Sequence, residues 1–499
     1  MFFSVYTLGC KLNQLETEAI TDAFIKNDFK LLSANNSPDT SAIAAGSAGS
    51  LEPVGSTEPG IVIVNTCTVT SMAEQKARRL IRKLLKDYPV ACLIVTGCYA
   101  QLDRELIEKE FPERVIVIPG EDKARLLDLP AFLAEAIKAA QHGAVASQTS
   151  SDKTFIEMLL PLISSWLSSS SVSPRLSESS SKVDPSFRFK PEKFYSHSRS
   201  FIKIQDGCDR RCSYCRVCLA RGKSKSLGSD EVLSEIKSLE ERGFNEAVLT
   251  GVNITQYMDA DRDLAGLLEI LLTGTKKIRI RLSSIDPDKL SDKFFDVITD
   301  NRIRPHFHLA LQSGSAAILA KMGRAYTPEV IDRTVERLRI VKKDPFLACD
   351  IIAAFPGETE EEFEETKTLC GKTGFSWIHV FPFSPRPGTA AFNFPGRIPE
   401  RVAKTRVELL SGLGQKGRGE YIERWKGREV EAIVEAGTRQ GREKSFISGV
   451  SENYLKLQIG YADVSAKVKA PVPGSLIRCR ILKEEPKNPR FDAFAALIL

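Results

Sequence analysis

Two textures of hydrophobic patterning alternate along the first 145 residues. SVYTLGC (4–10), IVIVNTC (61–67), CLIVTGC (92–98) and VIVIPG (115–120) are short β-branched runs that end on turn residues, as buried parallel strands do. Between them Leu12, Leu15, Ala19, Ala23 and Phe24, and later Ala77, Leu80, Ile81, Leu84 and Leu85, recur at helical spacing. This βαβα pattern predicts an open parallel α/β sheet with helices on its faces. From Phe201 the alternation resumes with a longer period. FIKIQDG, EAVLTGV, KIRIRLSSI, HFHLALQSG, FLACDIIAAFPG and WIHVFPFS are the predicted strands, with SDEVLSEIKSLEERG and TPEVIDRTVERLRIVK among the predicted helices. Parallel strands joined by right-handed crossovers curl, so six such units predict a partial (β/α)6 barrel. After Pro399 a basic helical stretch runs to about Trp425. REVEAIVEAG, KSFISGV, NYLKLQIG, VSAKVKA and SLIRCRIL follow, and their alternation between turn residues predicts a small antiparallel β-barrel.

Two stretches interrupt the pattern. Residues 33–59 contain no lysine, arginine or aromatic and read as a flexible surface insertion. Residues 164–186 hold twelve serines and bury too little apolar area to offset their own ordering entropy. The expected layout is therefore an N-terminal domain over 1–145, a Ser-rich linker over 146–195, a barrel core over 196–425 and a third domain over 426–499, which suits a chain of 499 residues. A hydrophobic fraction of 42% and a charged fraction of 27% exclude disordered and collagen-like classes. No run approaches the roughly 18 apolar residues that a membrane span needs. The opening MFFSVYTLGCKLNQ lacks a positive leader and a cleavage site, so a cytoplasmic protein without a membrane partner is expected.

Eleven cysteines are too few for a disulfide scaffold in a chain this long, and where they fall decides their meaning. Cys208, Cys212 and Cys215 stand in C-x3-C-x2-C spacing directly after the first barrel strand. Three thiolates can hold a [4Fe-4S] cluster and leave one iron open to a further ligand. A zinc site with Cys218 as fourth ligand is the alternative, cramped for a tetrahedral ion. Cys10, Cys67 and Cys98 each follow a predicted parallel strand. In an open α/β sheet those ends line one rim, which points to a second [4Fe-4S] cluster.

The QDGCDRRCSYCRVCLARG loop resembles the cluster motif of the radical S-adenosylmethionine (SAM) enzymes. That resemblance implies catalytic cysteines at Cys208, Cys212 and Cys215, SAM chelated at the open iron, and one-electron cleavage to a 5′-deoxyadenosyl radical. It places SAM and substrate contacts at the ends of the other strands, at Thr250 and Gly251, Ser283 and Ser284, Gln312 and Ser313, Asp350, and Arg386. With LGCKLNQLETE, VNTCTVT, VTGCYAQ, LQSGS, DIIAAFPGET and FSPRPGT added, the chain resembles the methylthiotransferases almost from end to end, the two insertions excepted, with the C-terminal barrel matching their TRAM domain. Its TLGCKLNQ opening is most similar to the MtaB branch, which acts on N6-threonylcarbamoyladenosine beside the tRNA anticodon. Other branches act on isopentenyladenosine or on a ribosomal protein. The implied partners are the tRNA anticodon loop, a reductant such as flavodoxin or ferredoxin, and a sulfur donor; Cys218 and the two insertions fall outside the common pattern. A zinc-stabilised RNA-binding protein without catalysis is the rival of another class.

Local charge supports a nucleic-acid partner. Residues 75–86 carry six basic side chains and no acid, with their apolar positions on one face. Arg199 to Lys225 carries eight basic residues around the catalytic loop. Phe446, Tyr454, Tyr461 and Phe491 are barrel aromatics, most of them core, one or two available to stack on bases. His306 and His308 alternate on one strand and read as barrel-interior or rim residues. No Ser-His-Asp order or P-loop is seen, which disfavours hydrolysis.

Overall fold

The computed structural model describes residues 1–35, 58–143, 152–168, 184–435, 446–460, 471–486 and 488–498. The chain forms two compact units, Met1–Ser196 with Arg216–Gly222, and His197–Cys215 with Lys223–Leu499.

In the first unit, β1 (Phe2–Thr7), β2 (Lys30–Asn35), β3 (Ile61–Thr66), β4 (Cys92–Gly97) and β5 (Val115–Pro119) form a parallel sheet in the order β2-β1-β3-β4-β5. The helices are α1 (Lys11–Lys26), α2 (Ser71–Asp87), α3 (Cys98–Leu102), α4 (Arg104–Glu110), α5 (Leu129–Gly143) and α6 (Asp152–Ser168). Both sheet faces are covered. Ile61 and Ile63 pack with Phe3, Ile20 and Phe24 on one side, while Val62 and Val64 pack with Ala77, Ile81 and Leu84 on the other. Continuous rather than alternating apolar runs are the consequence.

The linker reading of 146–195 needs correction. Helix α6 lies inside it, and its Leu159, Ile163 and Trp166 are buried in the N-terminal core. Spaced four and three apart, they share one helical face. Farther on, Phe187 and Phe189 are buried, Arg188 pairs with Asp128 at 2.7 Å, and the backbone amides of Glu192, Tyr195 and Ser196 donate to the carboxylates of Asp22 and Glu18. Strand β2, paired to β1, occupies the start of the stretch read as a flexible insertion; residues 36–57 and 169–183 lie outside the described residues.

In the second unit, the strands Ser200–Lys203, Glu246–Thr250 and Arg279–Leu282 pair in parallel, and Ser284–Ile285, His306–Gln312, Phe346–Ala353 and Trp377–Pro382 continue the parallel order beyond a break at Ser283. This is the expected partial barrel. Helix Glu400–Trp425 follows, then a closed barrel of Glu429–Val434, Phe446–Ser451, Lys456–Gly460, Ala493–Leu497 and Leu476–Ile481 in that spatial order. Its pairings are antiparallel except for the parallel one between Lys456–Gly460 and Ala493–Leu497. The predicted strand VSAKVKA lies outside the described residues, and Ala493–Leu497 is a strand that alternation did not reveal. No helix of the described residues is long and apolar enough to cross a membrane.

Candidate active site

Cys10, Cys67 and Cys98 follow β1, β3 and β4, which are neighbours in the sheet with their C-terminal ends in register: Thr7 faces Asn65, and Thr66 faces Gly97. One side chain ties two of the cysteine turns together. Asn13 Nδ2 donates to Leu8 O at 2.9 Å and to Thr66 O at 3.0 Å, while Asn65 Nδ2 donates back to Asn13 O at 3.0 Å. This is what the asparagines of KLNQ and VNTC do. The glycines of LGC and TGC have an equally local reason. Gly9 has φ +115° and a Cβ there would lie 2.6 Å from Cys67 Cβ; Gly97 has φ +100° and a Cβ there would lie 2.3 Å from Thr66 O. Burial pushes the Cys67 thiol up to about 12, and negative charge on Cys10 and Cys98 adds to the shift while Arg221 opposes it. Cys67 therefore feels both of the other sulfurs, and a metal that binds these thiols must displace protons. Arg221 donates to Asn13 Oδ1 at 3.0 Å and to Glu16 at 2.9 Å, and buried Lys123 holds the same Glu16 at 2.6 Å.

The second set of cysteines sits on a loop that is pinned on both sides. Gln205 Nε2 donates to Gly207 O at 2.7 Å, Asp209 N donates to Gln256 Oε1 at 3.0 Å, Ser213 N donates to Met322 O at 3.0 Å, and Ala391 N donates to Ser213 O at 2.7 Å. Sequence reading missed the hub beside it. Buried Asp286 accepts from Arg210 at 2.6 Å, Arg324 at 3.0 Å and Asn253 at 2.6 Å, and Arg324 also donates to Tyr214 OH at 2.8 Å. The SSIDP segment and the arginine of DRRC were the available signals. Burial raises the Cys208 thiol; the Arg210 amide opposes this and negative charge on Cys212 adds to it. Among the described residues no three His, Cys, Asp or Glu side chains are grouped to hold a single ion. A cube instead spreads its thiolates over separate irons, one per corner, which suits three cysteines of one loop. Cys218 lies on the helix Val217–Arg221, part of the first unit, whereas Cys208, Cys212 and Cys215 belong to the second.

The expected SAM contacts are distributed unevenly. Thr250 ends its strand and is buried, and a Cβ on Gly251 would lie 2.8 Å from Gln205 Oε1. Gln312 ends its strand at φ +73°, an uncommon conformation for a non-glycine residue. Arg386 is buried in the segment after the last strand, where its carbonyl accepts from Thr389 Oγ1 at 2.7 Å. Asp350 is not at a strand end, since its strand runs on to Ala353. Ser284 and Asp350 are brought together by His308, a residue the strand-end argument passed over: Ser284 Oγ lies 2.6 Å from His308 Nδ1, and His308 Nε2 lies 3.1 Å from Asp350 Oδ1. Linear order had concealed this Ser-His-Asp grouping.

The charge reading divides. On α2, Lys76, Arg79, Arg82 and Lys86 are exposed while Ala77, Ile81 and Leu84 are buried, as the pattern predicted. Around the loop most basic residues are committed internally: Arg210 to Asp286 and Asp288, Arg216 to Glu74 and Asp103, Arg221 to Glu16. Tyr454 is not free to stack on a base, because its ring lies 4.0 Å from that of His306. Phe446 packs edge-on against Phe491, and Tyr461 lies outside the described residues.

Residues 202–370 match the family described as the Radical SAM superfamily, and residues 46–119 match the one described as uncharacterized protein family UPF0004. This is the class that the partial barrel and its cysteine loop define, and it carries SAM and a [4Fe-4S] cluster as cofactors. Threonylcarbamoyladenosine tRNA methylthiotransferase MtaB of Treponema pallidum is 38% identical over 96% of this chain and 98% of its own length. A tRNA-2-methylthio-N(6)-dimethylallyladenosine synthase of Anaplasma phagocytophilum is 30% identical over 80% of this chain and 83% of its own. The solved radical SAM methyltransferase TsrM of Kitasatospora setae is 16% identical, covering 78% of this chain and 76% of its own at a TM-score of 0.46. The chain belongs to the radical SAM methylthiotransferase family, alongside the MtaB enzymes.

Proposed function

We propose that this protein is a tRNA methylthiotransferase that converts N6-threonylcarbamoyladenosine at position 37 to its 2-methylthio derivative. The observation that carries the reading is the 38% identity to an MtaB enzyme over nearly the whole of both chains, above the 30% to the dimethylallyladenosine enzyme. Bound SAM and iron-sulfur clusters supply radical and methyl-transfer chemistry, which an aromatic C–H demands because it offers a general base no acidic proton. The chain's residues divide that work. Cys208, Cys212 and Cys215 would hold the cluster that supplies the radical chemistry, with Thr250, Gly251, Gln312 and Arg386 as the expected SAM contacts. Cys10, Cys67 and Cys98 would hold a second [4Fe-4S] cluster, which would supply the sulfur chemistry. Asn13 and Asn65 fix the turns that carry two of those thiols. The exposed basic face of α2 and the C-terminal barrel meet the RNA, while a reductant such as flavodoxin or ferredoxin and a sulfur donor complete the cycle in the cytoplasm.

Mass spectrometry of nucleosides from the tRNA of a strain lacking the protein tests the substrate. The 2-methylthio form of threonylcarbamoyladenosine should vanish there. Loss from isopentenyladenosine or from a ribosomal protein instead would move the chain to another branch, and no change in any methylthio species would end the reading.

A further inference from the structure

The concave face of the parallel sheet changes character with depth. Along Phe346–Ala353 the side chains of Leu347, Cys349 and Ile351 are buried, and Cys349 feels Cys370 of the helix Glu360–Thr373. That is the helix-covered side, so Ala348, Asp350 and Ile352 face the concave one. Near the strands' N-terminal ends this side is filled: Phe346, Ala348 and Trp377 share an apolar cluster with Tyr421, Trp425 and the C-terminal barrel. One layer farther along, the filling gives way to polar groups. The register sets Ser284 opposite His308 and Asp350 opposite His379. The two imidazoles meet edge-on at 5.4 Å, and the Trp377 indole N–H donates to His379 Nδ1 at 3.1 Å, which puts the His379 ring proton on Nε2. The His308 and Asp350 side chains stay 19% and 24% exposed. Although 3.1 Å from Asp350, His308 Nε2 is buried without an aligned hydrogen bond.

Such a layer has two chemical uses, proton transfer or hydrogen bonding. If the hydrogen leaves the base carbon as an atom, no base is needed here, and hydrogen bonding is what remains. The geometry points to Ser284, His308, Asp350 and His379 as the layer that receives the polar edge of the substrate nucleobase and fixes the aim of its C2–H. The match is chemical: a purine edge alternates donors and acceptors, and this layer offers a hydroxyl, two imidazoles and a carboxylate. It reassigns Ser284 and Asp350 from cofactor to substrate, and it rests on the function proposed above.

The test uses the enzyme with both clusters reconstituted and an anticodon stem–loop whose threonylcarbamoyladenosine carries deuterium at C2. His308→Ala and His379→Ala should keep their iron and still cleave SAM within about two-fold of the parent. Methylthio product per 5′-deoxyadenosine should fall by about ten-fold or more, as loss of orientation predicts, with His308→Gln recovering part of it. Fluorescence anisotropy of the same stem–loop on the reconstituted enzyme without SAM should show weaker binding by the two alanine variants. If SAM cleavage falls in step with product while iron is unchanged, the layer serves the cofactor and the inference is overturned. Unchanged coupling and binding in both variants would make it mere packing, which overturns it equally. A parent that transfers no deuterium to 5′-deoxyadenosine would sink the functional reading itself, a failure visible before any variant is compared.

Discussion

Glu246 shows how much one side chain can hold. It lies buried among Arg281 at 2.7 Å, Arg304 at 2.8 Å and Arg199 at 3.8 Å. Burial alone would raise its pKa, but the charges of Arg281 and Arg304 outweigh that and hold the carboxyl at about 2, below its ordinary 4.5. A depressed carboxylate adds stability that is fully present above 4.5 and is lost as pH falls toward 2. Urea denaturation should therefore show a loss across that window in the parent that is smaller in Glu246→Gln. At neutral pH, Glu246→Ala leaves the buried Arg281 guanidinium without its carboxylate, while Arg304 keeps Glu431 and Arg199 keeps Glu435, and should cost about 3–5 kcal/mol. Equal acid sensitivity of parent and Glu246→Gln would show that other carboxylates dominate. Cys67 offers a second test at this scale. Cys67→Ala, with the barrel loop untouched, should still cleave SAM to 5′-deoxyadenosine under reduction yet form no methylthio product. Loss of cleavage in a folded variant would mean that the two thiol sets do not divide the work as proposed.

Helix α6 is the element on which composition and structure part. Serine density drew the linker reading, yet Leu159, Ile163 and Trp166 place three large side chains on one face, and Arg125 lies over the Trp166 ring at 4.8 Å while donating to Trp166 O at 2.8 Å. Trp166→Ala should cost the N-terminal unit about 3–5 kcal/mol, the usual range for emptying a buried aromatic site. Chemical denaturation of the variant measures it, and a cost below about 1 kcal/mol would restore the linker view. The parallel strands, by contrast, were legible because β-branched runs ending in glycine or threonine have few other uses. Strand β2 was missed because it leads into a small-residue insertion. Ala493–Leu497 was missed because its alanines carry no alternating pattern.

For the whole molecule, two expectations concern how separable the parts are. Cys208→Ala combined with Cys212→Ala should reduce reconstituted iron from about eight to about four per chain, one cube being lost and one kept. Zinc instead of iron and acid-labile sulfide in the parent would favour the non-catalytic rival. The C-terminal barrel, which alternation alone presents as a detachable third domain, is tied to the radical core. Its cluster includes Phe346 and Ala348, Glu431 accepts from Arg279 and Arg304 at 2.8 Å each, and Arg281 donates to Ser451 O at 3.1 Å. Truncation at Gly427 should thus destabilise the core and lower its iron content, beyond any loss of RNA binding. A truncated protein with full clusters and normal SAM cleavage would show that the barrel is dispensable to the fold. By itself the sequence determined most of the strand and helix order, the spacing of both sets of cysteines and the glycines that precede Cys10 and Cys98, because periodicity and close spacing are local properties. Only the tertiary structure decided the Asn13 clamp, the Asp286 hub, the Ser284, His308 and Asp350 layer and the packing of the barrel on the core. Each joins residues far apart in the chain through distances and angles of a few ångströms, and no local pattern encodes those.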